Sequence, residues 1–233
     1  MYSWKSITMQ ETRSTKARLI CGVDEAGRGP LAGPVTAAAV ILPADFPVRE
    51  LGDSKQLSAA KRDSAELLIK QHAVAYGVGW AWPDEIDSIN ILQAAMLAMQ
   101  RAVHELLPVH CVRRDPLADN YPLEQNTVFD PETASSDPII PDLILVDGNR
   151  CPDFAVPSRA EIKGDSRFPE IMAASILAKT ARDRWMLACD ALHPGYGFAG
   201  HKGYPTAAHK QAIADLGPSP VHRKTFRGVQ LLS

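Results

Sequence analysis

An α/β fold in one domain is predicted by three features of the chain. Short apolar runs end abruptly in acids at two places, residues 19–23 at Asp24 and Glu25 and residues 143–146 at Asp147 and Gly148, and a further short strand over residues 159–163 runs into Gly164 and Asp165. Segments with helical spacing separate or follow these runs. The chain has 233 residues, 45% of them hydrophobic, with no internal repeat and no second apolar cluster. That is long enough to bury one substantial core.

Residues 1–17 are polar and without period, and are expected to be a loose tail. The first strand is predicted over residues 19–23 and the second over 35–42. The short link between them makes the pair antiparallel. The link carries Gly27, Arg28 and Gly29, where bare backbone lets a ligand approach. Ser58 is placed to cap a helix reaching about Gln71, with Lys55 just before it. In that loop Lys55 is either a phosphate contact or a surface lysine. Residues 73–82 read as a third strand whose glycines mark twist or close approach. Pro83 to Asp87 suit a short helical turn. Asn90 resembles a cap for a helix whose core face is Leu92, Met96, Met99, Val103 and Leu106.

Residues 114–141 are polar and proline-rich, the pattern of a surface insertion. The continuous apolar run after it predicts a buried central strand that delivers Asp147 at its carboxyl end, where open α/β sheets place their ligands. A further short strand, 159–163, leads into Asp165. A long helix over 168–192 follows, dense in small residues at its start, with Lys179 and Asp183 spaced to pair. Next come a glycine-rich loop holding Tyr204 and a helix over 206–216. Residues 201–228 hold five Lys/Arg (Lys202, Lys210, Arg223, Lys224, Arg227) against Asp215 alone, in a chain of formal net charge −2. This is either a basic substrate track beside an acidic centre or a solvated tail.

The four cysteines, Cys21, Cys111, Cys151 and Cys189, form no close pair, which argues against structural zinc. With no apolar h-region at the N-terminus and no bilayer-length apolar run, a cytoplasmic protein is expected, with no membrane partner.

One acid at a loop start is most often a cap or turn residue. Three such places in one sheet are different: if they converge, four carboxylates share a small volume and cannot all ionise without cations. Oxygen donors without a Cys/His cluster suit Mg²⁺ or Mn²⁺. Two such ions on an acid cluster are an apparatus for phosphodiester cleavage. A pleated strand sends neighbours to opposite faces, so Asp24 and Glu25 reach one site only if the strand ends or twists between them.

These residues resemble a known family. Gly22-Val23-Asp24-Glu25-Ala26-Gly27-Arg28-Gly29-Pro30 looks like the signature of type 2 ribonucleases H, specifically bacterial ribonuclease HII. In order, the segments around Asp53-Ser54-Lys55, Asp147-Gly148-Asn149, Gly164-Asp165-Ser166 with Lys179 to Asp183, and His201 to Tyr204 with residues 218–226 are similar too. The resemblance covers residues 19–228. It implies an RNase H-like fold: a five-stranded mixed sheet flanked by helices, with a C-terminal helical extension (193–228) that binds substrate. The single catalytic domain would span 18–228, with residues 229–233 a tail. It implies hydrolysis of the RNA strand of RNA/DNA hybrids, and cleavage 5′ of ribonucleotides embedded in duplex DNA. The ends are 3′-hydroxyl and 5′-phosphate, and the role is ribonucleotide removal in DNA repair and replication. Asp24, Glu25, Asp147 and Asp165 become ligands of two Mn²⁺ or Mg²⁺ ions. Gly27, Arg28 and Gly29 contact the ribose 2′-hydroxyl, and Lys55 a phosphate. Tyr204 packs on the nucleotide beside the cut, and Lys179 joins the substrate contacts. A monomer is expected. Two other readings remain open from the residues: another metal nuclease on the same fold, and a binding module without catalysis.

Overall fold

The structure is a computed structural model and describes residues 18–51, 58–106 and 139–230. The expectations for the 1–17 tail, for Lys55, for Cys111, for most of the 114–141 insertion and for the last three residues lie outside the described residues. The five strands are β1 (Ile20–Ala26), β2 (Val35–Ile41), β3 (Ala75–Ala81), β4 (Leu143–Asp147) and β5 (Ser158–Glu161), and they form one sheet in the order β3-β2-β1-β4-β5. β1 is antiparallel to β2, and β2 to β3; β4 runs parallel to β1, and β5 to β4. The mixed five-stranded sheet is as expected.

Helices cover both faces. On one face lies α2 (Pro83–His104), packed through Ala94, Ala95, Ala98, Met99 and Ala102 against Val23, Val35, Ala37 and Val146. On the other lie α1 (Ala59–His72) and α3 (Pro169–Leu192), whose Ala173, Ala174, Leu177 and Ala178 pack with Ile69 against Ala38 and Val40. Beyond α3 the chain makes α4 (Phe198–His201), α5 (Ala207–Leu216) and α6 (Arg227–Gln230). Among the described residues no helix is long and apolar enough to cross a membrane.

The caps expected at Ser58 and Asn90 are where the sequence puts them. The Ser58 hydroxyl accepts from Lys61 N, and that of Thr206 from His209 N. Asn90 Oδ1 accepts from the Leu92 and Gln93 amides at a kink inside α2, where Asn90 has φ 67°. The buried face of α2 differs from the expected one. Met99, Val103 and Leu106 are buried, but Leu92 and Met96 are only partly so, and the closest approach is made by alanines. The cause lies in β3: a Cβ at Gly79 would stand 2.1 Å from Ala98 O, and one at Gly77 2.3 Å from Ala102 O. The helix backbone rests directly on the strand, and only small residues fit between. Gly79→Ala is expected to cost about 2–3 kcal/mol, because the helix must lift off a packed sheet. A denaturant midpoint unchanged from the parent would refute this.

Three boundaries differ from expectation. β1 continues through Asp24 and Glu25 to Ala26, paired with β2 all the way. β5 stops at Glu161, so Asp165 sits not at a strand end but in a 3-10 turn, Gly164–Ser166, entered through Lys163 in the left-handed region. At the C-terminus α6 buries Val229 against Leu31 and Ile213, so ordered packing extends past residue 228.

Candidate active site

The site lies where β1 and β4 end side by side. Their parallel register pairs Val23 with Val146, so the next residue on each strand is an acid: Asp24 and Asp147. Pleat then decides which side each acid faces. Gly22 and Ala26 face α3, and a Cβ at Gly22 would stand 2.1 Å from Glu170 C. Asp24 shares that face; Glu25 shares the face of Cys21 and Val23, which looks toward α2. The strand does not end between the two acids, so pleat starts them toward opposite faces of the sheet. Even so, the charge of Asp147 acts on both.

Asp24 is only 6% exposed. Burial holds its carboxyl well above the usual range, and the neighbouring charges of Glu25 and Asp147 push the same way; hydrogen bonds from the Ser175 side chain and the Glu25 amide (2.7 Å) oppose them in part. Glu25 is also raised, first by burial and then by Asp147, against the pull of Arg28, whose Nη1 donates to its Oε1 at 3.1 Å. Asp147 Oδ1 accepts from Gly164 N at 2.7 Å and from Asp165 N at 3.4 Å, which draws the 3-10 turn with buried Asp165 up to the strand end. The structure thus brings Asp24, Glu25 and Asp147 into mutual influence and sets Asp165 beside Asp147. Among the described residues no three or more His, Cys, Asp or Glu side chains are gathered closely enough, as they stand, to enclose an ion.

The other predicted residues surround this centre. Arg28 bridges the 27–29 loop to Glu25 and is half exposed. Tyr204 is 42% exposed, and its Cε1 would lie 3.7 Å from a Cβ on Gly29. Lys179 Nζ is 5.9 Å from the Tyr204 ring centre and donates to Asp183 at 2.7 Å.

The residues that sequence reasoning missed stand behind the loop. Arg223 was counted in a basic track, yet it is wholly buried. Its five N–H groups meet five carbonyls: Nε donates to Gly33 O (2.9 Å), Nη1 to Arg28 O (3.1 Å) and Pro30 O (2.8 Å), and Nη2 to Gly27 O (2.6 Å) and Pro34 O (3.0 Å). Arg182, equally buried, gives Nε to Pro34 O, Nη1 to Lys202 O and Nη2 to Ala32 O at 3.0–3.1 Å. Burial pushes the two guanidiniums down, Arg182 to about 10 and Arg223 to about 9, and both stay charged at neutral pH. Among the described residues there are no cis peptides. In a trans peptide the carbonyl and the following N–H point opposite ways. With the Gly27 and Arg28 carbonyls held inward, the N–H groups of Arg28 and Gly29 face away from Arg223. For Arg182 a signal was present: it stands on the buried stripe Ala174, Ala178, Arg182, Trp185 and Cys189 of α3, a lone cation at helical spacing among apolar residues.

The family model described as Ribonuclease HII matches residues 21–130 and 125–229, two segments that overlap at residues 125–130. A ribonuclease HII from Laribacter hongkongensis is 52% identical over 215 residues, covering 91% of this chain and 93% of that protein. In three dimensions the ribonuclease H2 from Pyrococcus horikoshii superposes with a TM-score of 0.65 at 24% identity, over 92% of this chain and 96% of the other. A Bst ribonuclease HIII solved in complex with Mn²⁺ superposes with a TM-score of 0.66 at 16% identity, over 91% of this chain and 68% of the other. At these identities the two structures speak for the fold; the sequence matches carry the assignment: the chain belongs to the ribonuclease HII family of RNase H endonucleases.

Proposed function

We propose that the chain is a divalent-metal-dependent endoribonuclease that cuts the RNA strand of RNA/DNA hybrids and cleaves 5′ of single ribonucleotides embedded in duplex DNA, as in ribonucleotide removal during DNA repair. The observation that carries the reading is the pair of acids on neighbouring parallel strand ends, with Asp24 buried and raised by its neighbours. A carboxyl in that state is held against its own charge, and a hard cation relieves it. The donor set fits in its chemistry: oxygens only, from Asp24, Glu25, Asp147 and Asp165, the residues that would hold two Mg²⁺ or Mn²⁺ ions. Bound there, the ions supply activation of a water and neutralisation of charge on the phosphodiester.

The chain's own residues do the rest. The outward N–H groups of Arg28 and Gly29 are donors for an oxygen on the ribose or its phosphate, and only the 2′-hydroxyl separates RNA from DNA at one nucleotide. The exposed Tyr204 ring beside Gly29 offers a face on which a nucleotide packs regardless of base. Lys179, partly neutralised by Asp183, adds positive charge behind that ring. Water attacks phosphorus, the bond to the 3′-oxygen breaks, and the products are a 3′-hydroxyl and a 5′-phosphate. The protein acts as a cytoplasmic monomer.

The test is cleavage of a duplex with one embedded ribonucleotide beside an all-DNA control, with Mg²⁺ and then Mn²⁺. One cut 5′ of the ribonucleotide and none in the control is expected. Equal cutting of both would overturn the reading in favour of a DNA-directed nuclease.

A further inference from the structure

A cluster of imidazoles lies behind Tyr204 and outside the acidic centre. His209, on α5, is wholly buried, and His222, in the segment before α6, is 1% exposed. Their Nε2 atoms are 3.0 Å apart. His209 Nδ1 is 2.9 Å from Tyr204 O. The Ser219 amide donates to His222 Nδ1 at 2.9 Å.

Chemistry allows one assignment of protons. A carbonyl only accepts, so His209 Nδ1 carries the hydrogen and donates to Tyr204 O. The neutral ring then has Nε2 as its acceptor. His222 Nε2 must therefore donate, which leaves its Nδ1 to accept, and that is the atom the Ser219 amide reaches. Every bond runs one way: Ser219 N–H to His222, His222 to His209, His209 to the Tyr204 carbonyl. A second proton on His209 would face the His222 Nε2–H at 3.0 Å, and a second proton on His222 would face the Ser219 N–H at 2.9 Å. Burial, with the neighbouring His209, lowers His222 to about 4, which keeps it neutral at pH 7.

A third ring braces the chain. His201 stacks on His209 with centroids 4.3 Å apart. Its Nδ1 accepts from Gly203 N at 3.1 Å, its Nε2 meets Tyr196 O at 2.8 Å, and its carbonyl accepts from Tyr204 N at 2.9 Å. The Tyr204 N–H is thus held by the His201 carbonyl, and its O by His209 Nδ1 together with the Thr206 amide at 2.8 Å. Gly203 O accepts from Leu31 N at 2.8 Å, which ties the same segment to the loop after Gly29. His222 is followed directly by Arg223, which holds the loop itself.

We propose that Ser219, His222 and His209 form a one-directional hydrogen-bond relay whose task is to fix Tyr204 against the 27–29 loop, making the two histidines positioning residues for substrate recognition. The proposal rests on the reading of Tyr204 as a substrate contact.

Two measurements test it. Long-range ¹H–¹⁵N NMR on the full chain at neutral pH reads the tautomers without substrate. A neutral Nδ1–H form for His209 and a neutral Nε2–H form for His222 are expected; any other pair, or a charged ring, overturns the relay. Steady-state kinetics on the single-ribonucleotide duplex then compares His209→Ala, His209→Asn and Tyr204→Ala. An asparagine amide sits near the Nδ1 position and still donates to Tyr204 O. His209→Ala should raise KM about tenfold with kcat nearly constant, as expected from one lost stacking contact, and His209→Asn should recover most of that loss. Should the alanine variant fail to fold, the asparagine variant and the tautomers still decide. Equal KM for the parent and a folded His209→Ala, or no recovery with asparagine, overturns the positioning role. If Tyr204→Ala itself leaves KM unchanged, the substrate reading of Tyr204 has failed and the positioning role with it, while the tautomers still report the relay as chemistry.

Discussion

Asp147→Asn is expected to stop cleavage while leaving the fold intact. The two halves of this result have separate causes. Asp147 Oδ1 accepts from the Gly164 and Asp165 amides, and an asparagine oxygen accepts from the same two donors. The turn that carries Asp165 therefore stays in place. What is lost is charge. Asp24 and Glu25 both feel Asp147 as a repulsive neighbour, so a neutral amide relieves the cluster, and the thermal midpoint should be equal to the parent or slightly higher. The amide is also a poor ligand for a hard cation. With the proposed ligand set broken, kcat should fall on the order of 10³-fold or more, the scale seen when charge-stabilising groups are removed from a reaction centre. Circular dichroism and thermal melting check the fold; cleavage of the single-ribonucleotide duplex checks the chemistry. Full activity of the variant with Mn²⁺ would remove Asp147 from the ligand set and with it the proposed site.

The part of this site that the sequence displays is the part made by single strands. An apolar run that stops at an acid and a glycine is local, and Asp24 and Asp147 were found that way. What places them side by side is the Val23–Val146 register, which joins residues far apart in the chain. The caps at Ser58 and Asn90 were legible for the same local reason. The buried face of α2 was misjudged because large apolar residues were weighted over alanines, whereas the glycines of β3 demand small neighbours. The strand, glycine and acid pattern at Asp165 repeats the other two and predicts a strand end; a left-handed Lys163 turns the chain first. The Arg223 and histidine networks were illegible in principle. Their partners lie on distant segments, Arg223 Nη2 and Gly27 O being 196 positions apart. Nothing in a run of His, Arg and Lys tells which one is swallowed by the core.

Arg223→Lys should show what that buried cation does. Lysine keeps the charge but offers three N–H groups from one nitrogen, where the guanidinium spreads five over a rigid plane. Five carbonyls of the 27–34 loop converge on the parent side chain, so at least two must lose their donor. At about 1–3 kcal/mol for each buried polar group left unpaired, the variant should lose about 3 kcal/mol or more, or roughly 6–12 °C in melting temperature for a chain of this size. The catalytic loss should exceed what partial unfolding explains. A carbonyl released from Arg223 is free to turn outward, and when it turns, the N–H of Arg28 or Gly29 turns inward. The loop would then present an acceptor where the substrate oxygen needs a donor. Misplacement on the scale of 1 Å at a reaction centre costs about 10²-fold, and kcat/KM on the single-ribonucleotide duplex should fall by that order when measured well below the melting transition. Arg182, which shares Pro34 O with Arg223, cannot compensate, because its own donors are committed to Ala32 and Lys202. A Lys variant that melts early yet cuts at the parental rate per folded molecule would show that Arg223 serves stability alone, and that the loop holds its peptide orientation without it.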